Sequence, residues 1–275
     1  MPEMPEVETV RRGLIDQVLN KKIISVEIRY QNLITGDVDE FIETVSGATI
    51  SNIGRRAKFL LIELDNGYTI ISHLRMEGKY RVSADKNAID KHSHAIFTLD
   101  DGQMLIYNDV RKFGRMQLWP TDRLSENKSL KKLGPEPLAP DFTFENIKPR
   151  IMRHRKDIKT VLLDQSVMGG LGNIYVDEVL WQAKIHPETK ADHLTDEEIK
   201  TIIKCSNSEI DKAIKSGGST IRTYLDANGH KGNMQDHLKV YGKEGQPCPR
   251  CGTEIEKIKV GGRGTHFCPK CQVAK

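Results

Sequence analysis

The sequence predicts an α+β protein, in which an N-terminal helix and an antiparallel β-sandwich precede a helical domain and a short terminal hairpin. Three observations support this prediction. Apolar residues recur at helical spacing in the first twenty positions. Short branched and aromatic segments, joined by tight-turn sequences, then extend from residue 22 to residue 119, as expected of an antiparallel sandwich. Beyond residue 145 the spacing is helical again, and four of the five cysteines lie in the last 28 residues.

Composition restricts the class of protein. A chain of 275 residues can bury a substantial core, and 37% hydrophobic with 29% charged residues is typical of a soluble globular protein. The formal net charge of +4 permits a polyanionic partner without requiring one. No apolar run approaches the roughly 18 residues of a membrane span, and the acidic opening is unlike a signal peptide. We therefore expect a cytoplasmic protein with no membrane partner.

The first predicted element is an amphipathic helix over residues 5–19. Its apolar positions repeat every three or four residues, at Val7, Val10, Leu14 and Val18. Pro5 suits the first turn of a helix, where no amide hydrogen is needed. Carboxylates near the start complement the positive end of the helix dipole: Glu3, Glu6 and Glu8.

The next hundred residues predict a series of short strands, among them residues 24–28, 59–64, 68–74, 95–99 and 104–107. The sequences at 65–67 and 100–102 end in Asn-Gly and Asp-Gly, which are typical of tight hairpins. Residues 121–145 are polar and then proline-rich, which indicates a linker.

The second half of the chain predicts helices over residues 156–168 and 173–183, separated by a glycine-rich break at 169–172. Thr195 and Glu198 form a capping-box signature that begins a long helix, and Gly217 and Gly218 stop it. We therefore predict a sandwich domain of residues 1–120, a linker of 121–145, a helical domain of 146–230 and a hairpin domain of 238–275.

The cysteine spacing predicts one structural zinc ion. Two Cys-x-x-Cys pairs are separated by sixteen residues, which fits a tetrahedral site of four thiolates: Cys248, Cys251, Cys268 and Cys271. Four protein ligands leave no open position for catalysis. Four reduced thiols without metal are the alternative, and the two pairs in register make it the weaker one. Cys205 lies in the predicted long helix, and we interpret it as a packing residue.

The predicted zinc hairpin is basic, and this favours nucleic acid as its partner. Lys257, Lys259 and Arg263 lie on it, and glycines at 261, 262 and 264 would let its tip approach a phosphate closely. A hairpin end without any binding function is the alternative, and the residues alone leave both possibilities open.

The first three residues carry a possible nucleophile. If Met1 is removed, Pro2 is a free secondary amine at the positive end of a helix, and a secondary amine can attack a sugar C1′ to give an iminium ion. Glu3 could then act as a general acid, and Lys58 nearby would favour the neutral amine. The alternative is that Met-Pro-Glu simply caps the helix, which is the commoner role of such a sequence.

Seven motifs follow one another along the chain, at residues 2–9, 55–61, 73–78, 109–114, 133–137, 172–175 and 262–269. In this order they resemble the motifs of the formamidopyrimidine-DNA glycosylases, bifunctional bacterial enzymes that excise oxidised purines. The resemblance covers nearly the whole chain. Met4 is a departure, because family members usually carry leucine there, but the swap conserves volume.

The resemblance implies catalytic roles for four residues. Pro2 matches the nucleophile, and Glu3 matches the proton donor for base loss. Lys58 matches the lysine that donates a proton during β-elimination, and Arg263 matches the arginine associated with δ-elimination. These roles depend on the release of Met1, which the sequence does not show.

The resemblance also implies DNA contacts. Met76, Arg111 and Phe113 match the residues that fill the gap left by a flipped nucleotide, a role that suits two apolar side chains and one hydrogen-bonding side chain. The break at 169–175 matches a helix-two-turn-helix motif, and residues 217–224 match a loop that closes over the extruded base. The remaining predicted DNA-binding residues are Glu6, His73, His92, Arg155, Lys159 and Asn173.

The resemblance therefore implies a monomeric base-excision repair enzyme of the bacterial cytoplasm, with one zinc ion, damaged duplex DNA as its partner and no protein partner. It would remove 8-oxoguanine and formamidopyrimidines through a Schiff base on Pro2 and nick the abasic site by β,δ-elimination. One alternative is the related endonuclease VIII-like branch, which acts on oxidised pyrimidines. Another is a damaged-DNA-binding protein without catalysis. The ranking of lesions and the opposite-base preference stay open.

Overall fold

The computed structural model describes residues 2–219 and 232–274. Contacts divide them into an N-terminal unit of residues 2–131, 216–219 and 232–233, and a C-terminal unit of residues 132–215 and 234–274. The chain thus changes unit within the predicted linker, and residues 216–219 group with the N-terminal unit rather than with the helical segment. The predicted domain boundaries stay predictions.

The N-terminal unit begins with helix α1, Met4–Val18. The predicted apolar stripe is buried, with Val7, Val10, Leu14 and Val18 each at most 1% exposed, and this confirms the amphipathic helix. The backbone N–H of Glu3 donates to Glu6 Oε2 at 2.8 Å, which satisfies one of the free donors at the helix start.

Two four-stranded antiparallel sheets follow α1, which confirms the predicted sandwich class. One has the order β1-β6-β7-β5, built from Ile23–Ile28, Ser93–Leu99, Met104–Asn108 and Lys79–Ser83. The other has the order β2-β3-β4-β8, built from Ile50–Arg56, Phe59–Leu64, Tyr68–His73 and Arg115–Pro120. The glycines of the two predicted hairpin turns, Gly67 and Gly102, have φ of 83° and 82°, as such turns require.

A large apolar core fills the N-terminal unit, beside a smaller cluster of Ile96, Met104 and Ile106. The large core joins the buried face of α1 to residues of both sheets and to helix α2, Val38–Val45, which contributes Phe41 and Val45. Each large apolar side chain removed from water in this way contributes about 1.5–3 kcal/mol. A short helix α3, Lys128–Lys131, ends the first stretch of this unit.

The C-terminal unit contains α4 (Phe144–Met152), α5 (Ile158–Leu162), α6 (Asn173–Ala183) and α7 (Asp196–Lys215). The break at 169–172 and the start of α6 are confirmed, and the N–H of Glu198 donates to Thr195 Oγ1 at 3.3 Å in the predicted capping box. The prediction that the preceding helix reaches residue 168 is wrong. It ends at Leu162, and Asp164 Oδ1 then accepts the N–H of Ser166 at 2.8 Å in a turn.

The chain ends in a hairpin of β9 (Glu256–Val260) and β10 (Arg263–Phe267), joined through Gly261 and Gly262 at φ of 54° and 80°. Its base packs with Trp181 of α6 in a small apolar cluster that includes Cys248 and Cys268. None of the helices in the described part of the chain is long and apolar enough to cross a membrane.

Candidate active site and DNA-binding residues

The start of α1 places a proline and two carboxylates together. Pro2 is buried, and Glu3 and Glu6 are 3% and 2% exposed. Glu6 accepts two backbone hydrogen bonds, from Glu3 N at its Oε2 and from Ser219 N at its Oε1, at 2.8 and 2.7 Å. The Pro2 nitrogen lies one residue before the N-cap of a 15-residue helix. The partial positive charge at this end of the helix favours a neutral amine or a bound anion there.

The turn between β2 and β3 carries Lys58, which is 5% exposed. The residue before it, Ala57, has φ of 50°, a backbone conformation that is uncommon for a residue other than glycine and that occurs in tight turns. Arg55 holds this turn: its Nη1 donates to the Ala57 carbonyl at 3.0 Å, and its Nε donates to Glu8 Oε2 on α1 at 3.1 Å. Glu8 and Arg55 thus connect α1, the helix that follows Pro2, to the turn that carries Lys58.

Arg55 was not predicted as a site residue, because a run of Arg-Arg-Ala-Lys is usually a solvated surface. Its side chain is only 11% exposed. Burial raises the pKa of the Glu8 carboxyl, but hydrogen bonds from Arg11, Arg12 and Arg55 outweigh it and lower that pKa to about 2. Glu8 therefore stays ionised at any physiological pH.

His73 lies at the end of β4 beside this group. Burial lowers its pKa to about 3, and the positive charges of Arg75 and Lys58 add to the effect. Its Nδ1 accepts the N–H of Arg75 at 3.0 Å, and its ring meets Phe59 edge to face at 4.6 Å. His73 is therefore a neutral imidazole at pH 7, so a contact with DNA would be a hydrogen bond rather than an ion pair.

Two loops carry the three residues predicted to fill the gap in DNA. The first, residues 74–78, contains the half-buried Met76 and closes with a hydrogen bond from Gly78 N to the Leu74 carbonyl at 3.0 Å. The second, residues 109–114, is built on the buried Asp109, whose carboxylate accepts the N–H groups of Arg111 and Gly114 at 3.0 and 2.7 Å.

The second loop exposes the side chains of Arg111 and Phe113. Phe113 is 48% exposed, and the Arg111 guanidinium stacks over its ring at 4.7 Å. An exposed aromatic ring on a loop is what the predicted insertion between bases requires. His92 lies at the base of the same loop, where its carbonyl accepts the N–H of Asp109 at 3.0 Å.

The C-terminal unit holds the other predicted residues. Arg263 is exposed at the start of β10, and the next carbonyl, that of Gly264, accepts the Asn173 side-chain amide at 2.9 Å. The first residue of α6 is thereby tied to the hairpin that presents Arg263. Arg155 is freely exposed, with 94% of its side chain in solvent, and its one ion pair, with Asp192, is long at 3.9 Å.

Lys159 does not have the position that a phosphate contact requires. Its side chain is fully buried, and its Nζ donates to Asp177 Oδ1 at 2.6 Å and to the Gly264 carbonyl at 3.1 Å. The second oxygen of Asp177 accepts the N–H of His266 at 2.9 Å. Within this unit, the pair fixes the hairpin strand to α5 and α6, so the structure places Lys159 in support of Arg263 rather than on a binding surface.

The four predicted zinc ligands lie together. Their sulfur atoms are within 4.8 Å of one another, with Cys248–Cys271 and Cys251–Cys268 separations of 3.9 and 3.4 Å. Bonds of about 2.3 Å in a tetrahedron place sulfurs roughly 3.8 Å apart, so the site fits one zinc ion with no position left for water. The Trp181 indole donates to Cys248 Sγ at 3.4 Å, an outer contact of the kind that orients a ligand.

A buried proline just before a helix, a loop that exposes an aromatic ring and a four-cysteine hairpin are together the features that the sequence motifs predicted for a DNA-binding enzyme of the repair class. Family models agree along the chain: the formamidopyrimidine-DNA glycosylase N-terminal domain matches residues 1–116, its H2TH domain residues 133–225, and a zinc finger found in FPG and IleRS residues 245–273.

Whole-chain relatives agree with these models. The chain is 52% identical to formamidopyrimidine-DNA glycosylase of Ligilactobacillus salivarius and 51% identical to that of Bacillus subtilis, each over 100% of both chains. A solved complex of Lactococcus lactis Fpg with DNA containing an abasic site is similar at a TM-score of 0.93 and 47% identity, covering 98% of this chain and 99% of that one. The chain belongs to the formamidopyrimidine-DNA glycosylase family, and the predicted resemblance is confirmed.

Proposed function

We propose that this chain is a base-excision repair enzyme that removes oxidised purines from duplex DNA and then cleaves the abasic site through a Schiff base on Pro2. Family membership over the full length supports the glycosylase activity. The observation that carries the mechanism is the start of α1, where the buried Pro2 directly precedes the helix and the next carboxylates along the chain, Glu3 and Glu6, are also buried.

The proposed reaction begins once Met1 has been released. The Pro2 nitrogen forms a bond to C1′ while the bond from C1′ to the damaged base breaks, and Glu3 supplies the proton that base loss or ring opening requires. The Pro2 nitrogen then loses its own proton, the bond from C1′ to O4′ breaks as O4′ takes up a proton, and the opened sugar is left as an iminium ion, which makes the C2′ proton acidic. Loss of that proton expels the 3′ phosphate, and a second elimination expels the 5′ phosphate. Lys58 and Arg263 serve these two steps.

Recognition depends on extruding the damaged nucleotide, which costs a few kcal/mol and least where stacking is already weak. Met76 and Phe113 replace the lost stacking, and Arg111 hydrogen-bonds the unpaired base on the other strand. The exposed stack of Arg111 on Phe113 supports this role. Asn173 and Arg263 contact phosphates, with Arg155 adding a positive charge. Part of the predicted closing loop, residues 220–224, lies outside the described residues.

Borohydride trapping on a duplex with 8-oxoguanine opposite cytosine tests the proposal. The wild-type chain should give a covalent adduct, and Pro2→Gly should give none. Pro5→Ala is the matched control, because it alters a proline of the same helix turn that never has a free amine. An adduct that survives Pro2→Gly would refute the assignment of the nucleophile.

Two further variants separate the steps. Glu3→Gln should lose excision of 8-oxoguanine but still give an adduct on a preformed abasic site, where no base has to leave. Arg263→Ala should accumulate the β-elimination product at the expense of the δ product. Intact-mass measurement shows whether the trapped protein lacks Met1, and only that form should react. Thymine glycol in the same duplex tests the endonuclease VIII-like alternative, which predicts that thymine glycol is the better substrate.

A further inference from the structure

Tyr107 on β7 has a buried hydroxyl that the proposed reaction does not use. The side chain is fully buried, and its ring packs on Tyr80 at 5.1 Å. Within the described residues the Tyr107 hydroxyl has no hydrogen-bond partner, whereas the Tyr80 hydroxyl donates to Ser72 Oγ at 2.8 Å. A buried hydroxyl without a partner costs stability, so fold stability alone would favour phenylalanine at this position.

The hydroxyl lies between two glycines, Gly78 and Gly114. A Cβ added at Gly114 would overlap the hydroxyl oxygen and lie 2.8 Å from the ring carbon Cζ. A Cβ added at Gly78 would also overlap the oxygen and would lie 2.6 Å from the Leu74 carbonyl. Neither glycine has a positive φ, so the space that Tyr107 occupies, rather than the backbone conformation, excludes a side chain here.

These glycines are the last residues of the two loops that enter DNA. Gly78 closes residues 74–78, which carry Met76, and Gly114 closes residues 109–114, which carry Arg111 and Phe113. The Tyr107 oxygen therefore touches both loops at their closing residues. Burial and the neighbouring Asp109 carboxylate raise the pKa of this hydroxyl, so it stays neutral and acts by its size.

We infer that the Tyr107 hydroxyl is a spacer that sets the separation of the two loops and so positions Met76 relative to Arg111 and Phe113 for insertion into DNA. Tyr107 is then a positioning residue for lesion recognition, and the bond-breaking steps at Pro2 do not involve it. The inference rests on the proposed role of these three side chains.

The test is Tyr107→Phe, assayed on a duplex with 8-oxoguanine opposite cytosine. We expect KM to rise about tenfold, within the hundredfold loss that a 1 Å misplacement can produce, while the single-turnover rate at saturating DNA stays unchanged. A 2-aminopurine base next to the unpaired position should show less of the fluorescence increase that insertion causes. The melting temperature should equal or exceed that of the wild type. If the hydroxyl were merely structural, a raised KM would instead come with a lower melting temperature.

Tyr80→Phe is the matched control. It removes a hydroxyl from the same ring pair, but this one bonds Ser72 and is not among the atoms nearest either glycine. It should lower the melting temperature and leave KM and the fluorescence signal unchanged. A wild-type KM and signal for Tyr107→Phe would overturn the inference, and so would an equal rise in KM for Tyr80→Phe.

A double variant tests the contact itself. Gly114→Ala should raise KM because its methyl group displaces the Tyr107 side chain, and Tyr107→Phe in the same chain should restore part of the loss by removing the nearer of the two clashing atoms, the hydroxyl oxygen, while the ring carbon Cζ still has to shift. Strictly additive effects would overturn the inference. Phe113→Ala distinguishes a failure of the Tyr107 inference from a failure of the proposed insertion role. If Phe113→Ala leaves the 2-aminopurine signal intact, the proposed role of the loops is wrong, whatever the result for Tyr107→Phe.

Discussion

Glu8 shows how one buried residue can hold two distant segments of the chain together. Three guanidinium groups donate to it: those of Arg11, Arg12 and Arg55. A buried carboxylate with this many charged donors is fixed in position, and it fixes its donors in turn. Of the three donors, Arg55 also bonds the Ala57 carbonyl, so the geometry of the Lys58 turn depends on a residue of α1.

We predict that Arg55→Ala weakens both stability and catalysis. It removes charge-assisted hydrogen bonds at a buried position, so the free energy of unfolding should fall by about 1.5–3 kcal/mol in urea titrations. The rate of borohydride trapping should also fall, because the Lys58 turn loses its anchor. Arg12→Ala is the control: it also bonds Glu8, but its side chain is 57% exposed, and it should cost at most about 1 kcal/mol. Equal trapping rates for Arg55→Ala and wild type would show that the anchor does not serve catalysis.

At the scale of helices and strands, α6 and α7 pack around an unusual buried carboxyl. Glu209 of α7 is 2% exposed and accepts a hydrogen bond from the Gln182 side chain of α6. Burial raises the pKa of Glu209 to about 7, and the neighbouring Glu178 carboxylate adds to the effect. Because this pKa lies above the unfolded value near 4.5, the folded state binds an extra proton between pH 4.5 and 7.

The expected consequence is that Glu209 makes the protein less stable as pH rises through 7. Its contribution is favourable below pH 4.5 and is lost progressively up to pH 7, by at most about 3 kcal/mol. Glu209→Gln should therefore gain stability relative to wild type on going from pH 5 to pH 8, as measured by urea unfolding at both values. A difference between variant and wild type that is the same at pH 5 and pH 8 would contradict the raised pKa.

Trp181 is an intrinsic fluorescent probe of the zinc hairpin. Trp181 donates to Cys248 Sγ, and the Arg250 guanidinium stacks on its indole at 4.1 Å. Since so small a hairpin derives its folding free energy from metal binding, removing zinc with a chelator should expose Trp181 and shift its emission to longer wavelength. One zinc ion per chain should be released, and DNA binding should be lost with it. Trp119→Phe leaves Trp181 as the single tryptophan and should retain the shift; an unchanged spectrum after zinc release would show that the cluster persists without metal.

How far the sequence predicted these elements depends on how much of each signal is local. Strands β3, β4, β6 and β7 were predicted to within two residues, because their branched and aromatic runs and Gly turns are self-contained. Strand β2 was missed because a register shift between Ile50 and Asn52 breaks its alternation. Helix α2 was also missed, although Asp37 and Glu40 carry a capping signal that could have located it, since the Asp37 side chain accepts the Glu40 N–H.

The site was predicted unevenly for the same reason. Cys-x-x-Cys spacing identified the metal ligands directly, whereas the roles of Pro2 and Glu3 came from resemblance, because an acidic helix start is common. The burial of Arg55 and Lys159 could not be predicted, since each depends on a partner distant in sequence: Glu8 is 47 residues from Arg55, and Asp177 is 18 residues from Lys159.

For the molecule as a whole, only the positive charges that reach solvent are available to bind DNA. The net charge of +4 comes from 42 basic and 38 acidic residues, so only a few cations in the right place determine binding. Arg155 and Lys159 lie four positions apart and were both predicted to contact DNA. The Arg155 side chain is almost fully exposed, whereas the Lys159 side chain is fully buried.

The salt dependence of binding separates these two residues. Each phosphate contact adds about 0.9 to the slope of log K against log salt, so Arg155→Ala should reduce the slope by roughly that amount. Lys159→Met should leave the slope unchanged, but it should cost about 3–5 kcal/mol of stability because the buried Asp177 carboxylate loses its lysine partner and, within the described residues, keeps only its contacts with His266. Anisotropy of a labelled abasic-analogue duplex between 50 and 200 mM salt, a range in which such slopes are resolved, gives the first quantity, and urea unfolding gives the second. If Lys159→Met lowers the slope instead, the buried pair must open on DNA, and Lys159 then reaches a phosphate only in the complex.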